Sequence, residues 1–576
     1  MHFGALDWAI TVLSLLVTVG LGLRTRRLVG RIEDYLVANR GMGVYVGTAS
    51  LVSTEIGIIT YMYQAQFGFL AGFSAFVVGL ITIAVCFFVG KTGFVMTRLR
   101  EMEVMTVPEY LERRYSRSVR VLAGSMMALG GSLNLGIFPL IEARFLTITT
   151  GIPPRYVTWT MAVLLLTALL YTALGGMLSL MVTNYLQYVL LAAGTVVITS
   201  ACLYRIGWTA MTRAVATSLH GRGFDPFADL GVGPAFILWQ VLLWTALMTV
   251  WQSVAMRSFS ARDTATGRKL FMLTSGLFLG RAVLPMAWGI AALAFFTARA
   301  SPVAPLPGET PRAEMARMDE SLARGFTRQL EEGRVASLLP QVERLDVLAQ
   351  GELRARRPAG PVSAEQAAAA EGPARRAQSM REELGMVAMP WMVAALIPTG
   401  WLGLVMAGML AASVSTYAGY FLGWSAVISQ DVVSPLLGRE LSTAGKLRLT
   451  RATIVALTAF IMVWSLVYHV PGPAFFYLQV TANLFMAPTL VTIAAGLYWR
   501  RSSSTGAGLA YVLGAAASLG YLVPAFGLDV ATAGNLSWGL ALLGLVAGSL
   551  VRPDRQGHER SGIHSRAARG GLGARR

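Results

Sequence analysis

Residues 51–69 read LVSTEIGIITYMYQAQFGF. A bilayer core of about 30 Å is crossed by roughly 20 apolar helical residues, and this run has that length and character. Its middle does not: Ser53, Thr54, Glu55 and Gly57 stand together where lipid tolerates polar groups least. A carboxylate at bilayer depth is costly and marks a functional position by default. Hydroxyls, a carboxylate and a glycine in mid-span predict a helix that breaks there, freeing backbone carbonyls for a small cation. The structural alternative is Glu55 paired with Arg144 or Arg281 simply to hold helices together, and the functional reading is the stronger.

The rest of the chain supports a membrane setting. Of 576 residues, 55% are hydrophobic and 14% charged, where a soluble domain carries about a quarter charged. About thirteen apolar runs are long enough to span, near 6–23, 43–67, 71–93, 122–148, 155–175, 180–204, 233–252, 271–297, 401–430, 451–469, 474–498, 506–525 and 534–551. The expected fold is therefore an all-α polytopic membrane protein. Cys86 and Cys202 both lie in apolar runs and form no disulfide framework or metal spacing.

The net charge of +18 has an explanation other than nucleic acid. Arg24, Arg26, Arg27, Arg31 and Arg40 separate the first two runs; Lys91, Arg98, Arg100, Arg113, Arg114, Arg117 and Arg120 follow the third; Arg257, Arg262, Arg268 and Lys269 follow the seventh. Every second loop is basic, the pattern of cytoplasmic loops beside anionic lipid. The chain is thus expected to cross the plasma (cell inner) membrane with its N-terminus outside and its basic tail, 552–576, in the cytoplasm. Residues 1–551 form the membrane domain. The stretch 298–388 differs: it is polar, with about thirteen basic and thirteen acidic residues, and falls outside. Met315, Met318, Leu322 and Phe326 have helical spacing there. A tolerated insertion is the stronger reading of it, ahead of an external cap or partner-docking element.

The ionisable residues within the runs are Glu55, Glu142, Arg144 and Arg281. Glu142 and Arg144, at i and i+2, face apart and look to other spans for partners. Arg281 suits an anionic solute group or a pairing with Glu142; the two arginines read as structural. A second polar cluster lies in GLVMAGMLAASVSTYAGYFLGWSAVISQD, residues 403–431. Ala411, Ala412, Ser413, Ser415, Thr416 and Gly419 make a small-residue stripe, which is common membrane packing. Ser415 and Thr416 also offer hard oxygen ligands for an alkali cation, and the two readings stand level. Enzyme motifs are poor. There are five histidines and no H-E-x-x-H. Gly90-Lys91-Thr92 lacks the glycine that a phosphate loop needs five residues upstream, where Val85 stands, and there is no nucleophile elbow. No enzyme activity and no organic cofactor is expected.

Five segments resemble the sodium:solute symporter family, which includes proline, pantothenate, sialic acid and sodium/glucose transporters. They are YLVANRGMGVYVGTASLVSTEIGIITY (35–61), VPEYLERRYSRSVR (107–120), YTALGGMLSLMVTNYLQ (171–187), WQSVAMRSFSARD (251–263) and IPTGWLGLVMAGMLAASVST (397–416). The resemblance implies the inverted-repeat fold of leucine transporters, with five-helix repeats over about 43–204 and 233–498. It implies a sodium site in which carbonyls of Ser53 and Ile56 on the first core helix face Ala412, Ser415 and Thr416 on the eighth. It implies a solute site at Thr60 and Gln64 on the first core helix and Trp244, Leu247, Met248 and Trp251 on the sixth. Three departures stand out. Asn184 replaces an aspartate often linked to sodium exit or a second sodium; Glu55 stands where the proline branch has aspartate; and the 298–388 insertion is long.

These readings converge on sodium-coupled symport of a small organic solute by alternating access. The aromatic and aliphatic solute face favours an amino acid or organic acid over a sugar. Two alternatives remain: a transporter-like sensor or scaffold, and coupling to protons. Sensor relatives carry an output domain after the last span, and only a basic tail of 25 residues, 552–576, follows here, which favours transport.

Overall fold

The computed structural model describes residues 3–25, 32–227, 232–356, 364–438, 441–468, 470, 472–523 and 528–554. Arg26, Arg27, Arg31 and the tail beyond Asp554 lie outside the described residues. Lipid offers backbone groups no hydrogen-bond partners, so a spanning chain makes its own within helices. Among the described residues there is accordingly no strand, only a lone bridge between Met42 and Ala261.

By length and composition 11 described helices can cross a membrane, or 12 when the bent pair Pro234–Val250 and Gln252–Ser260 counts as one. One of these, Ile58–Thr92, holds a reversal. The backbone turns at Gly72, whose φ is +64°. Before the turn the chain runs with its neighbour: the Thr48 hydroxyl meets Leu270 O at 3.5 Å, Glu55 O meets Arg281 at 2.9 Å, and Tyr61 meets the Trp288 ring at 4.9 Å. After it the order inverts, with Gly79 against Val283 and Cys86 bonded to Phe271 O. Counting both directions recovers the thirteen passes expected from the sequence. The 49-residue helix Val157–Arg205 is likewise two passes. At 1.5 Å per residue it would be about 74 Å long if straight. Instead Gly176 takes φ +60°, under the Tyr35 ring, and the Tyr171 hydroxyl folds back onto that of Thr183.

Two groups of five passes, 44–205 and 234–498, each open on a broken helix. The first core helix is Val44–Glu55 and Ile58–Ala71, with Ile56 and Gly57 extended between them. The sixth is Pro234–Val250 and Gln252–Ser260, hinged by 45° at Trp251. The third is Arg117–Leu135 and Phe138–Thr150, and the eighth is Trp401–Ala426.

The polar stretch forms three helices, Pro311–Glu331, Val335–Arg356 and Ala364–Leu396. Met315, Met318, Leu322 and Phe326 are buried as their spacing implies. Arg344 donates two 2.9 Å bonds to Glu314, joining the first two helices. The third helix, Ala364–Leu396, runs through residue 388, where the composition changes. Gly385 lies against Phe69 and Gln66, and the Gln66 amide donates to Glu382 O at 2.9 Å while accepting from Ala474 N at 3.1 Å. The stretch thus packs onto Ile58–Ala71, the second half of the first core helix.

Close approach at that half of the helix depends on two glycines. A Cβ on Gly289 would lie 2.8 Å from Phe69 N and still nearer Ala65 O, and one on Gly68 would strike the Met286 backbone. Gly289→Val should therefore destabilise the purified protein by at least about 1–3 kcal/mol in detergent melts. Gly539→Ala, with nothing within 4 Å, should be neutral or slightly stabilising.

Candidate ion and solute site

A helix that stops at Glu55 and restarts at Ile58 leaves carbonyls and N–H groups without intrahelical partners. The side chains around the break supply some. Glu55 O accepts from Arg281 Nε at 2.9 Å and from the Thr60 hydroxyl at 3.3 Å, and Thr60 Oγ1 in turn accepts from Gly57 N at 3.3 Å. Thr60, expected as a solute ligand, thus also bonds across the break. Ile59 N donates to Glu142 Oε1 at 3.2 Å. The Ser53 hydroxyl bonds back to Ala49 O, and its carbonyl lies in the last turn before the break.

The eighth core helix closes the other side. Ser413 donates to Glu142 Oε2, Ser415 Oγ lies 3.5 Å from Thr54 Oγ1, and Ser415 donates to Asn184 Oδ1 at 2.8 Å. Thr416 Oγ1 is buried and has no partner. A Cβ on Gly57 would come 2.8 Å from that oxygen, so glycine is what lets the break and the hydroxyl approach. Ala412, one turn earlier on the same helix, is fully buried. The two polar clusters singled out in the sequence thus meet as neighbours.

Asn184 ties three core helices. Its amide donates to Ser50 Oγ at 3.0 Å and Thr54 Oγ1 at 3.3 Å while its oxygen accepts from Ser415. An ionised aspartate could meet the same hydroxyls only as an acceptor, because it has no proton to donate.

The charges arrange themselves differently from the sequence expectations. Arg144 is exposed, not buried, and faces Glu383 of the polar stretch; it does not reach Glu55. Arg281 meets Glu55, not Glu142: Nη2 is 4.0 Å from Glu55 Oε2, to which Tyr420 also donates at 3.2 Å. Its guanidinium lies over the rings of Trp244 at 4.9 Å and Phe278 at 5.3 Å, a cation–π arrangement. Arg257 was assigned to a basic loop, yet it is 0% exposed. It donates to Thr54 Oγ1 at 2.5 Å and to Ser253 O and Oγ at 2.8 and 2.9 Å. The hinge at Trp251 carries Gln252–Ser260 onward as the second half of a span. A polar half-helix of nine residues resembles a loop in a hydropathy scan.

Of the remaining solute candidates, Gln64 is fully buried with both ends of its carboxamide unpartnered. Trp244 donates to Gln240 Oε1 at 3.1 Å. Trp251 sits in an aromatic cluster with Tyr420, Trp424 and Phe485, which is a packing role. Met248 is buried and Leu247 half-buried. Asp431, which sequence reasoning passed over, is buried with Arg120 Nε at 2.7 Å and the Thr106 hydroxyl at 2.9 Å. Its partners lie more than 300 residues away, and no local pattern reports them.

The sequence profile of the sodium:solute symporter family matches residues 35–318 and 362–514. The chain is 25% identical over 513 residues to a sodium/mannose cotransporter of Bos taurus, covering 79% of this chain and 71% of that one. It is 22% identical over 537 residues to a sodium/glucose cotransporter of Vibrio parahaemolyticus, covering 89% and 84%. The substrate-bound, outward-open structure of a Na+-coupled sialic acid symporter superposes with a TM-score of 0.71 at 15% identity, over 96% of this chain and 99% of that one. That likeness shows the fold, the inverted-repeat architecture of leucine transporters.

Asn184 should be a keystone of this assembly. Asn184→Ala leaves Ser50, Thr54 and Ser415 short of partners, and should lower stability by about 1–3 kcal/mol in detergent melts without solute.

Proposed function

The chain belongs to the sodium:solute symporter family, which makes it a sodium-coupled solute transporter and not an enzyme, and we propose that its ion sits at the break in the first core helix. The carbonyls of Ser53, Ile56 and Ala412 and the hydroxyls of Ser415 and Thr416 would hold it. These are hard oxygen donors, suited to an alkali cation. The observation that carries this reading is the Thr416 hydroxyl, buried and unpartnered, beside the glycine of the break. An ion bound there fixes the two half-helices relative to the eighth helix and so raises affinity for a solute beside them. By linkage the solute raises affinity for the ion equally.

The solute in this reading is an amino acid or organic acid, placed beside Glu55, Gln64, Arg281 and Trp244. Glu55 Oε1 and Arg281 Nη1 are both buried and unpartnered, and their 4.0 Å separation leaves the pair loosely engaged. A carboxylate on Arg281, and an ammonium on Glu55, would complete their bonding. A sugar is the second reading, favoured by the names of the mannose and glucose relatives; it would leave those charges to each other. Proton coupling through Glu55 is less favoured, because the Arg281 guanidinium stands 4.0 Å from its carboxylate and an opposite charge so placed favours the ionised form.

The orientation follows the basic loops. Arg100 bonds Ala261 O at 2.8 Å and Arg268 bonds Gly90 O at 3.3 Å, which gathers basic segments of both repeats on one side. We assign that side to the cytoplasm of the plasma (cell inner) membrane, with the 552–576 tail, and the helices of 298–396 to the outside as a cover over the first core helix.

In proteoliposomes, an inward sodium gradient should drive uptake of one member of a panel of amino acids, organic acids and sugars. Thr416→Ala and Ser415→Ala should each remove the sodium dependence. Uptake that follows a pH gradient and disappears with Glu55→Gln would show the ion assignment to be wrong.

A further inference from the structure

The first helix, Ala5–Thr25, lies outside the two groups of five passes, and neither the ion reading nor the solute reading uses it. Its simplest role is an anchor in lipid. Leu6, Leu13 and Leu16 are exposed and suit that role, but Asp7, Thr11 and Thr18, at helical spacing, are buried. A carboxylate withdrawn from water is costly unless hydrogen bonds receive it, and an anchor has no need of one. Asp7, 0% exposed, spends its oxygens on the start of the eighth core helix. Oδ1 accepts from Gly400 N at 2.7 Å and from Gly403 N at 2.6 Å, while Oδ2 accepts from Gly4 N at 2.9 Å. One turn on, the Thr11 hydroxyl donates to Gly403 O at 3.3 Å.

Those bonds replace a cap that the eighth core helix lacks. Trp401–Ala426 is preceded by Gly400, which has no side chain to receive the N–H groups of the first turn. Asp7 receives two of them from almost 400 residues away. The approach is close: a Cβ on Gly403 would lie 2.6 Å from Asp7 Cα. The far end of the first helix is fastened as well, where Gly22 O accepts from the Ser179 hydroxyl at 2.9 Å. Ser179 precedes Asn184 by five residues on the same helix, and Asn184 accepts from Ser415. The first helix is thus tied at one end to the helix that carries Ser415 and Thr416, and at the other to the helix that carries their neighbour Asn184.

We infer that the first helix is a strut for the ion site, with Asp7 the positioning residue that sets Trp401–Ala426 against the break. This rests on the sodium reading of the break. Ser415 and Thr416 stand twelve and thirteen residues after Gly403 in one unbroken helix, about 18–20 Å along it. A shift of the first turn therefore carries both hydroxyls with it. Sodium binds where those hydroxyls face the break, so losing the cap lowers the fraction of molecules ready for the ion and raises the sodium needed in proportion.

The test is binding of radiolabelled sodium to the purified full chain in detergent, with choline chloride holding ionic strength, at a temperature below the melt of every variant. Asp7→Ala should raise the sodium concentration at half-saturation by between about 2-fold and 30-fold, the range that a helix cap can supply. Gly403→Ala, which forces the same contact apart from the other side, should act in the same direction. Asp7→Asn keeps the oxygen that serves Gly400 and Gly403, loses only the bond to Gly4, and should bind sodium like wild type. Asp529→Ala is the control. It removes an aspartate that accepts from Ala531 N and Thr532 N at the start of Val530–Val551, a helix with none of the ion ligands, and should lower the melt without changing sodium binding. An Asp7→Ala protein with wild-type sodium binding overturns the strut and leaves the sodium site standing; if Asp7→Ala does not fold, Gly403→Ala decides in its place. Sodium binding as weak in Asp7→Asn as in Asp7→Ala, or as weak in Asp529→Ala, overturns it too. A wild type that binds no sodium overturns the sodium site and the strut together.

Discussion

Backbone groups released in the middle of a membrane must find partners, and the two residues between Glu55 and Ile58 impose that demand on everything around them. Arg281 and Thr60 serve the Glu55 carbonyl, Glu142 serves the Ile59 N–H, and Thr416 is brought against Gly57. Each comes from a different part of the chain. The third, seventh and eighth core helices are thereby tied to one short extended segment, and the polar interior follows from it. A continuous helix would have kept those groups to itself and needed none of these side chains.

The break was legible in the sequence because its signal is local. Ser53, Thr54, Glu55 and Gly57 interrupt an apolar run, and no ordinary span carries that combination. The same holds for the reversal at Gly72, since the runs on either side were each long enough to span. The hinge at Trp251 was not legible. It is flanked by Val250 and Gln252 with no glycine, and Gln252–Ser260 is too polar to pass as membrane. Arg257 was misplaced for that reason. Arg144 was misread in the opposite sense: its neighbours in FPLIEARFLTITT are apolar, but its own direction on the helix takes it outward to Glu383. Thr60 shows a third kind of limit: no local pattern announced that its hydroxyl would serve the Glu55 carbonyl and Gly57 N–H within five residues of itself.

The polar helices of 298–396 change the character of the second half of the first core helix. In most of its length a spanning helix meets lipid or other spans; here Gln66 bonds one helix of the polar stretch and the start of Ala474–Tyr498 at once. A single glutamine thus couples the polar stretch to two spanning helices. The ion pairs within the stretch, Glu314 with Arg344 and Asp319 with Arg376, tie its three helices to one another.

On the opposite side, Met42 N donates to Ser260 O at 3.0 Å and Arg262 N donates to Met42 O at 3.1 Å, a scrap of pairing just outside two half-helices. It yokes the start of the first core helix to the end of the sixth. Both are broken in mid-span, at Ile56–Gly57 and at Trp251, so any swing of either segment that keeps these two hydrogen bonds takes the other with it, and the Arg257 bond to Thr54 is a third tie across the same pair.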